Sequence, residues 1–256
     1  MPIESADGPE QERRHRPWAA IGVALALPVI AISLAIGLTR TGAEPRPHMG
    51  RGALQVSHNW AGYVATGARF TSVSATWLVP AVRSGTQPTE VAAVWVGLDG
   101  RGTKTLEQIG TVSGLLGGTY YYGAWYEVVP RAPVYLNMPI RPGDSVTASV
   151  TYGRDGLFTL ALVDNTSGQR FAVREASPGA ELVTAEVVVE APGTVSGLAP
   201  LPDFGKIGFT SALANGRPIG TFIWNRMSMN NGFDLQAATS SLGRDAASFS
   251  VAWHHE

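Results

Sequence analysis

The stretch from Leu182 to Glu190, LVTAEVVVE, places a carboxylate in the middle of a predicted β-strand. Small and β-branched residues favour a strand here, and glycine and proline residues bound it. Because side chains alternate along a strand, Glu186 shares a face with Thr184 and Val188, while the opposite face is apolar and should pack in a core. A carboxylate at this position is either a solvated surface group or a general acid or base on a rigid element. The strand by itself leaves both interpretations open.

Four other strand residues could take part in chemistry or binding. Trp125 and Glu127 share a face of the aromatic stretch Thr119 to Val129, as a flat ring and a carboxylate do in the wall of a ligand groove. A core tryptophan with a carboxylate at the rim gives the same pattern. Asp99 ends a continuously apolar stretch that indicates a buried strand, and Gln108 lies on a weaker strand that follows.

Several kinds of chemistry are excluded by composition. The chain has no cysteine, so thiol catalysis, thiolate metal ligands and disulfides are absent. Of its five histidines, only His58 lies in the body of the predicted domain, and no Gly-x-Ser-x-Gly motif is present. We therefore expect no metal site and no cofactor. A formal net charge of −1 without a basic cluster in the domain argues against a nucleic-acid partner.

The N-terminal region predicts an exported protein. Residues 1–16 are polar and end in basic residues, and residues 17–39 form an uncharged apolar segment long enough to cross a bilayer. This segment is either a transmembrane signal anchor or a cleaved signal peptide. Residues 1–16 are then cytoplasmic, residues 40–54 form a Pro- and Gly-rich linker, and residues 55–256 form an extracytoplasmic domain that is membrane-anchored or secreted.

The domain itself reads as all-β. A dozen or more short stretches of strand-forming residues are separated by Gly, Pro, Asn and Asp turns, and no amphipathic helix is evident after residue 39. This regular spacing is typical of a β-sandwich or a barrel.

Six segments of the domain, in order, resemble conserved stretches of the glutamic peptidases, or eqolisins. The chain is similar to a bacterial-type member with an N-terminal membrane segment. The segments are Asn59–Gly62, Trp95–Gly100, Leu106–Gly110, Ala124–Glu127, Ala185–Glu190 and Phe204–Thr210.

The resemblance implies a sandwich of two large antiparallel sheets, lectin-like or concanavalin-like in architecture. It implies a monomeric endopeptidase that acts on polypeptides in acid without metal or cofactor. Glu186 falls on the catalytic glutamate, the base that activates water, and Gln108 on the glutamine that stabilises the oxyanion. Trp125, Glu127 and Asp99 match positions that bind or orient the substrate. An ordinary carboxylate pKa of about 4.3 would let Glu186 act as a base in mild acid.

The chain also departs from the family pattern. Val187 stands where well-known members have Trp, the tract before Gln108 lacks the family's cysteine, and the 15-residue linker is too short for a pro-segment. Alternation points Val187 away from the groove, and Glu190 is interpreted as a carboxylate at the rim. Two other functions remain open: a lectin-like module that binds glycan or peptide, and a glycoside hydrolase that uses Glu127 and Glu186. A peptidase-like domain without activity is a further alternative.

Overall fold

The computed structural model describes residues 52–83 and 87–254. The predicted segments 1–16 and 17–39 lie outside the described residues, as does most of the predicted linker. In the described part of the chain, no helix is long and apolar enough to cross a membrane.

Regular structure in the described residues consists of β-strands and one short 3-10 turn at Ile219–Thr221. The all-β prediction is confirmed. In chain order the strands are β1 (Gly52–Ser57), β2 (Trp60–Thr66), β3 (Ser72–Leu78), β4 (Glu90–Asp99), β5 (Leu106–Leu116), β6 (Thr119–Val128), β7 (Val134–Tyr135), β8 (Ser145–Tyr152), β9 (Phe158–Asp164), β10 (Arg170–Glu175), β11 (Ala185–Glu190), β12 (Gly193–Thr194), β13 (Gly197–Leu198), β14 (Lys206–Ala214), β15 (Arg217–Pro218), β16 (Ile223–Asn230), β17 (Leu235–Thr239) and β18 (Phe249–Trp253).

Hydrogen bonds join most of these strands into one path, where two separate sheets were expected. The path runs β10-β9-β8-β3-β14-β18-β17-β16-β2-β11-β4-β5-β6-β7. Its pairs are antiparallel, whereas β1 pairs with β16 in parallel. Strand β16 makes the sheet continuous because it pairs with both β17 and β2. The two halves of the path nevertheless pack face to face, and Trp77 Nε1 on β3 donates to Thr111 Oγ1 on β5 at 3.1 Å.

The main core lies between these two layers. Alternate residues of β2, β4 and β11 face inward, including Tyr63 and Val187, and meet aromatic residues of the other layer. Tyr63 and Phe249 pack at a centroid distance of 4.7 Å, and Phe249 stacks on Phe209 at the same distance. The structure therefore places Val187 on the core side of β11, on the face opposite Glu186.

A second apolar cluster covers the other face of β2, β11, β4, β5 and β6. Trp60, Trp95, Trp125 and Val188 are all buried there, and the rings of Trp60 and Trp95 meet edge to face at 5.1 Å. Strand β4 is consequently buried on both sides, which explains its continuously apolar sequence. The candidate catalytic residues lie on this second face.

We predict that Val187→Trp destabilises the fold, because a larger ring must enter a core in which Val187 has no exposed surface. Overpacking of this kind costs about 1–3 kcal/mol, which corresponds to a fall in Tm of roughly 2–12 °C for a domain of this size. Thermal unfolding followed by circular dichroism would measure it. Val183→Trp is the control, since Val183 is 41% exposed and precedes β11. Equal Tm values for the two variants would contradict the assignment of Val187 to the core.

Candidate active site

Strand register brings Glu186 and Gln108 into one row. Glu186 on β11 lies opposite Gly97 on β4, Gly97 lies opposite Gln108 on β5, and Gln108 lies opposite Glu127 on β6. Paired residues of adjacent strands point to the same side of a sheet, so these side chains share one face. The Cα atoms of Glu186 and Gln108 are two strand spacings apart, about 10 Å.

The glycine at position 97 contributes no side chain between Glu186 and Gln108, and neighbouring side chains pack into that space. A Cβ atom at Gly97 would lie 2.8 Å from Leu106 Cδ1 and 2.9 Å from Trp95 Cζ3. In the neighbouring row, Gly110 lies between Trp95 and Trp125. A Cβ atom at Gly110 would lie 2.0 Å from the Val94 carbonyl oxygen, so this position accepts only glycine without a shift of backbone.

Glu127 fixes the side-chain amide of Gln108. Gln108 Nε2 donates to Glu127 Oε2 at 2.7 Å, and both side chains are buried. An amide nitrogen carries two hydrogens, so the second N–H of Gln108 remains available to another acceptor. Gln108 Oε1 has no protein partner.

Glu186 is completely buried, and neither of its carboxylate oxygens accepts a hydrogen bond from the protein. Burial raises the pKa of Glu186 well above its ordinary value. The nearby Thr184 hydroxyl and Arg101 lower it, whereas the charges of Asp99 and Glu107 raise it further. The expectation of an ordinary pKa for Glu186 is therefore wrong in this structure, because burial disfavours the ionised carboxylate.

Glu190 is not at the rim, as its place near the end of the strand suggested, but is buried with 1% of its surface exposed. Its carboxylate accepts hydrogen bonds from Trp95 Nε1 at 2.8 Å and Asn59 Nδ2 at 3.0 Å. Burial raises the pKa of Glu190 to about 7, although the nearby N–H groups of Trp60, Trp95 and Asn59 oppose the shift. Burial, followed by the charge of Glu190, raises the pKa of Glu127 to about 8.

Asp99 supports the site from the end of β4. Its carboxylate accepts the backbone N–H groups of Glu181 and Leu182 at 2.8 Å and of Val183 at 2.9 Å. These bonds hold the segment that leads into β11 and thereby Glu186. Asp99 is fully buried, so the described contacts give it an orienting position. Trp125 is also fully buried, on the same face as Gln108, and its Nε1 has no protein partner.

Sequence reasoning missed two ionisable groups near Glu186. Glu107 is fully buried, and Ser177 Oγ donates to its Oε1 at 2.5 Å. Burial raises the pKa of Glu107 to about 7. Alternation from Gln108 places Glu107 on the core side of β5, where a carboxylate is unusual, and this signal was available in the sequence. The other group is Arg101. Its position depends on how the turn after β4 folds, and no local sequence pattern predicts this.

The sequence pattern of the Peptidase A4 family matches residues 58–247. This match covers most of the chain, so the chain belongs to the Peptidase A4 family, and the resemblance to glutamic peptidases is confirmed.

Two relatives support the same family. The chain is 32% identical over 139 residues to scytalidopepsin B of Scytalidium lignicola, a match that covers 53% of this chain and 52% of that protein. It is 28% identical over 184 residues to aspergillopepsin-2 of Aspergillus niger, covering 62% of this chain and 65% of that protein. The chain thus spans about half to two thirds of the length of these relatives.

Solved structures of glutamic peptidases have a similar fold. A crystal structure of scytalido-glutamic peptidase with a transition-state analogue inhibitor matches with a TM-score of 0.66 and 25% identity, over 77% of this chain and 98% of that one. Aspergilloglutamic peptidase from Aspergillus niger shares the fold with a TM-score of 0.56 at 24% identity, over 64% of this chain and 99% of that one.

The buried carboxyl groups predict that the fold is most stable in acid. Glu107, Glu127 and Glu190 have folded pKa values of about 7, 8 and 7, against about 4.3 for an unfolded glutamate. Below about pH 4.3 these three carboxyl groups are protonated in both the folded and the unfolded chain, so their burial does not reduce stability through ionisation. As pH rises from about 4.3 towards the folded pKa, the unfolded chain releases protons that the folded chain keeps, so stability falls.

We therefore expect Tm to decrease between pH 5 and pH 8, with each retained proton costing about 1.4 kcal/mol per pH unit. Glu127→Gln should make this decrease shallower, whereas Glu181→Gln, a matched change at an exposed carboxylate, should leave it unchanged. Differential scanning calorimetry across this pH range measures the slope. A Tm that rises from pH 5 to pH 8 would contradict the burial of these groups.

Proposed function

We propose that this protein is an endopeptidase that hydrolyses peptide bonds in acid, with Glu186 activating water and Gln108 stabilising the oxyanion. The observation that carries the proposal is the row Glu186–Gly97–Gln108, which sets an acid–base group and an amide donor on either side of a residue without a side chain. Membership of the Peptidase A4 family and the name of the similar scytalido-glutamic peptidase support it.

The chemistry needs three events that this row can supply. The ionised carboxylate of Glu186 accepts a proton from water as the water oxygen bonds to the scissile carbonyl carbon. The carbonyl oxygen becomes an oxyanion, which accepts the free N–H of Gln108 Nε2. When the C–N bond breaks, Glu186 returns its proton to the leaving nitrogen, so the proton count balances and no metal is needed.

Glu127 orients the donor. By accepting one N–H of Gln108 at 2.7 Å, it fixes the orientation of the amide and leaves the second N–H of the same nitrogen for the oxyanion. Because the pKa of Glu127 is about 8, this group is a carboxylic acid in the working pH range. The carbonyl oxygen of an acid still accepts the bond, and a neutral group does not repel the negative oxyanion.

Acid activity requires Glu186 to ionise, which the closed site opposes. We propose that an extended peptide and its water open this face when they bind. Water then hydrogen-bonds to the carboxylate and brings its pKa back towards the ordinary range. The buried, unpartnered Trp125 Nε1 and Gln108 Oε1 are available to polar groups of the bound peptide, in keeping with a substrate-binding place for Trp125.

The geometry favours the peptidase over a glycoside hydrolase and over a lectin-like binding module. A glycoside hydrolase with Glu127 and Glu186 needs its carboxyl groups about 5–9.5 Å apart with the sugar between them. Here Gln108 lies between the two positions and is bonded to Glu127. A buried carboxylate without hydrogen-bond partners costs folding free energy. A lectin-like binding module has no need of such a group, so Glu186 favours the peptidase. We also propose that the two packed layers have a lectin-like architecture.

Location and assembly also remain proposals. We propose that the domain is exported, and either anchored by residues 17–39 or released after cleavage of this segment. We further propose that it works as a monomer on polypeptide substrates.

The test is cleavage of an unfolded protein substrate by the full chain between pH 2 and pH 7. Glu186→Gln should lower kcat/KM by about 10²–10⁴-fold, and Gln108→Ala by about 10²–10³-fold. Glu181→Gln is the matched control for exchange of a carboxylate for an amide and should retain activity. Absence of cleavage by the unchanged protein at every pH, or full activity of Glu186→Gln, would overturn the proposal.

A further inference from the structure

Arg101 extends across the sheet from the turn between β4 and β5. Its Nη1 donates to Met227 Sδ on β16 at 3.4 Å. Strands β2 and β11 lie between β4 and β16 in the sheet. The contact therefore joins two elements that are separated by the strand that carries Glu186.

Register identifies the face over which Arg101 passes. Met227 lies opposite Gly62 on β2, and Gly62 lies opposite Val188 on β11. Val188 is two residues from Glu186, so the three positions share the face that carries the candidate catalytic carboxylate. Glu186 has no exposed surface, and Arg101, which is half-buried, contacts the same face through Met227.

The charges around Glu186 make this position significant. Asp99 at the end of β4 and Glu107 on β5 act on it as negative groups when they are ionised, and Arg101 acts as a positive group. Strand β2 presents the apolar Val64 opposite Glu186, and β16 presents the uncharged Asn225 opposite Val64. Two carboxyl groups and burial thus oppose ionisation of Glu186, and the guanidinium of Arg101 favours it.

We propose that Arg101 is a positioning residue for the peptidase reaction, whose guanidinium reaches across the face that carries Glu186 and stabilises this carboxylate in its ionised, reactive form. This role of Arg101 in catalysis rests on the function proposed above. An arginine suits this task because its guanidinium stays charged at every working pH. A thioether is a weak acceptor, so the bond to Met227 holds the guanidinium near Glu186 without competing strongly for it.

The direct test is a ¹³C NMR titration of the Glu186 side-chain carboxyl in the full chain, assigned by its loss in Glu186→Gln. Arg101→Met removes the charge and keeps an unbranched side chain, whereas Arg101→Lys keeps the charge. Arg154→Met, in the turn between β8 and β9, is the control for the same loss of charge at an exposed site.

We expect the midpoint for Glu186 to rise by about one pH unit or more in Arg101→Met, and to stay near the starting value in Arg101→Lys and Arg154→Met. Equal midpoints in Arg101→Met and the unchanged protein would overturn the proposal. So would an equal rise in Arg101→Lys, because the effect would then come from shape and not from charge.

Kinetics separate this proposal from the function on which it rests. In the profile of kcat/KM against pH, the acidic limb of Arg101→Met should move upward by the same interval as the NMR midpoint. If the unchanged protein cleaves no peptide, the proposed function fails while the titration still decides the role of Arg101. If it cleaves peptides and both the limb and the midpoint stay in place, only the role of Arg101 fails.

Discussion

An ionisable carboxyl group in the middle of an interior strand has no water to solvate its charge, and the groups around Glu186 are arranged under this constraint. The face that carries Glu186 is buried, and its neighbours Asp99 and Glu107 are carboxyl groups as well. The folded protein can tolerate such a cluster when the groups are protonated or locally hydrogen-bonded. The buried carboxyl groups Glu107, Glu127 and Glu190 suit the fold to acid, the condition in which the proposed reaction takes place.

Sheet register sets Glu186 in a row with the other candidate site residues. Continuous pairing across β11, β4, β5 and β6 lines up a carboxyl group, a glycine, an amide and a second carboxyl group. Each side chain has its own support: Asp99 binds the segment before β11, Glu127 binds Gln108, and tryptophan residues fill the next row. Placing the groups on paired strands fixes their spacing more firmly than loops would.

Local periodicity was enough to predict much of this arrangement. Alternation in LVTAEVVVE correctly placed Val187 in the core and Glu186 on the opposite face. The resemblance around Gln108 predicted this residue as the partner of Glu186. Alternation could not reveal that Gly97 lies between them, because pairing joins residues about ninety positions apart in the chain. For the same reason, the burial of Glu190, the bridge through β16 and the reach of Arg101 to Met227 were not predictable. Each depends on which strands become neighbours.

The central claim is that Glu186 and Gln108 act together on one peptide carbonyl above Gly97. A crystal structure of the protein with a peptide whose scissile carbonyl is replaced by a tetrahedral analogue tests it most directly. The account predicts one analogue oxygen within hydrogen-bonding distance of the Glu186 carboxylate and another within that distance of Gln108 Nε2. An analogue bound with its tetrahedral centre away from both side chains would contradict it.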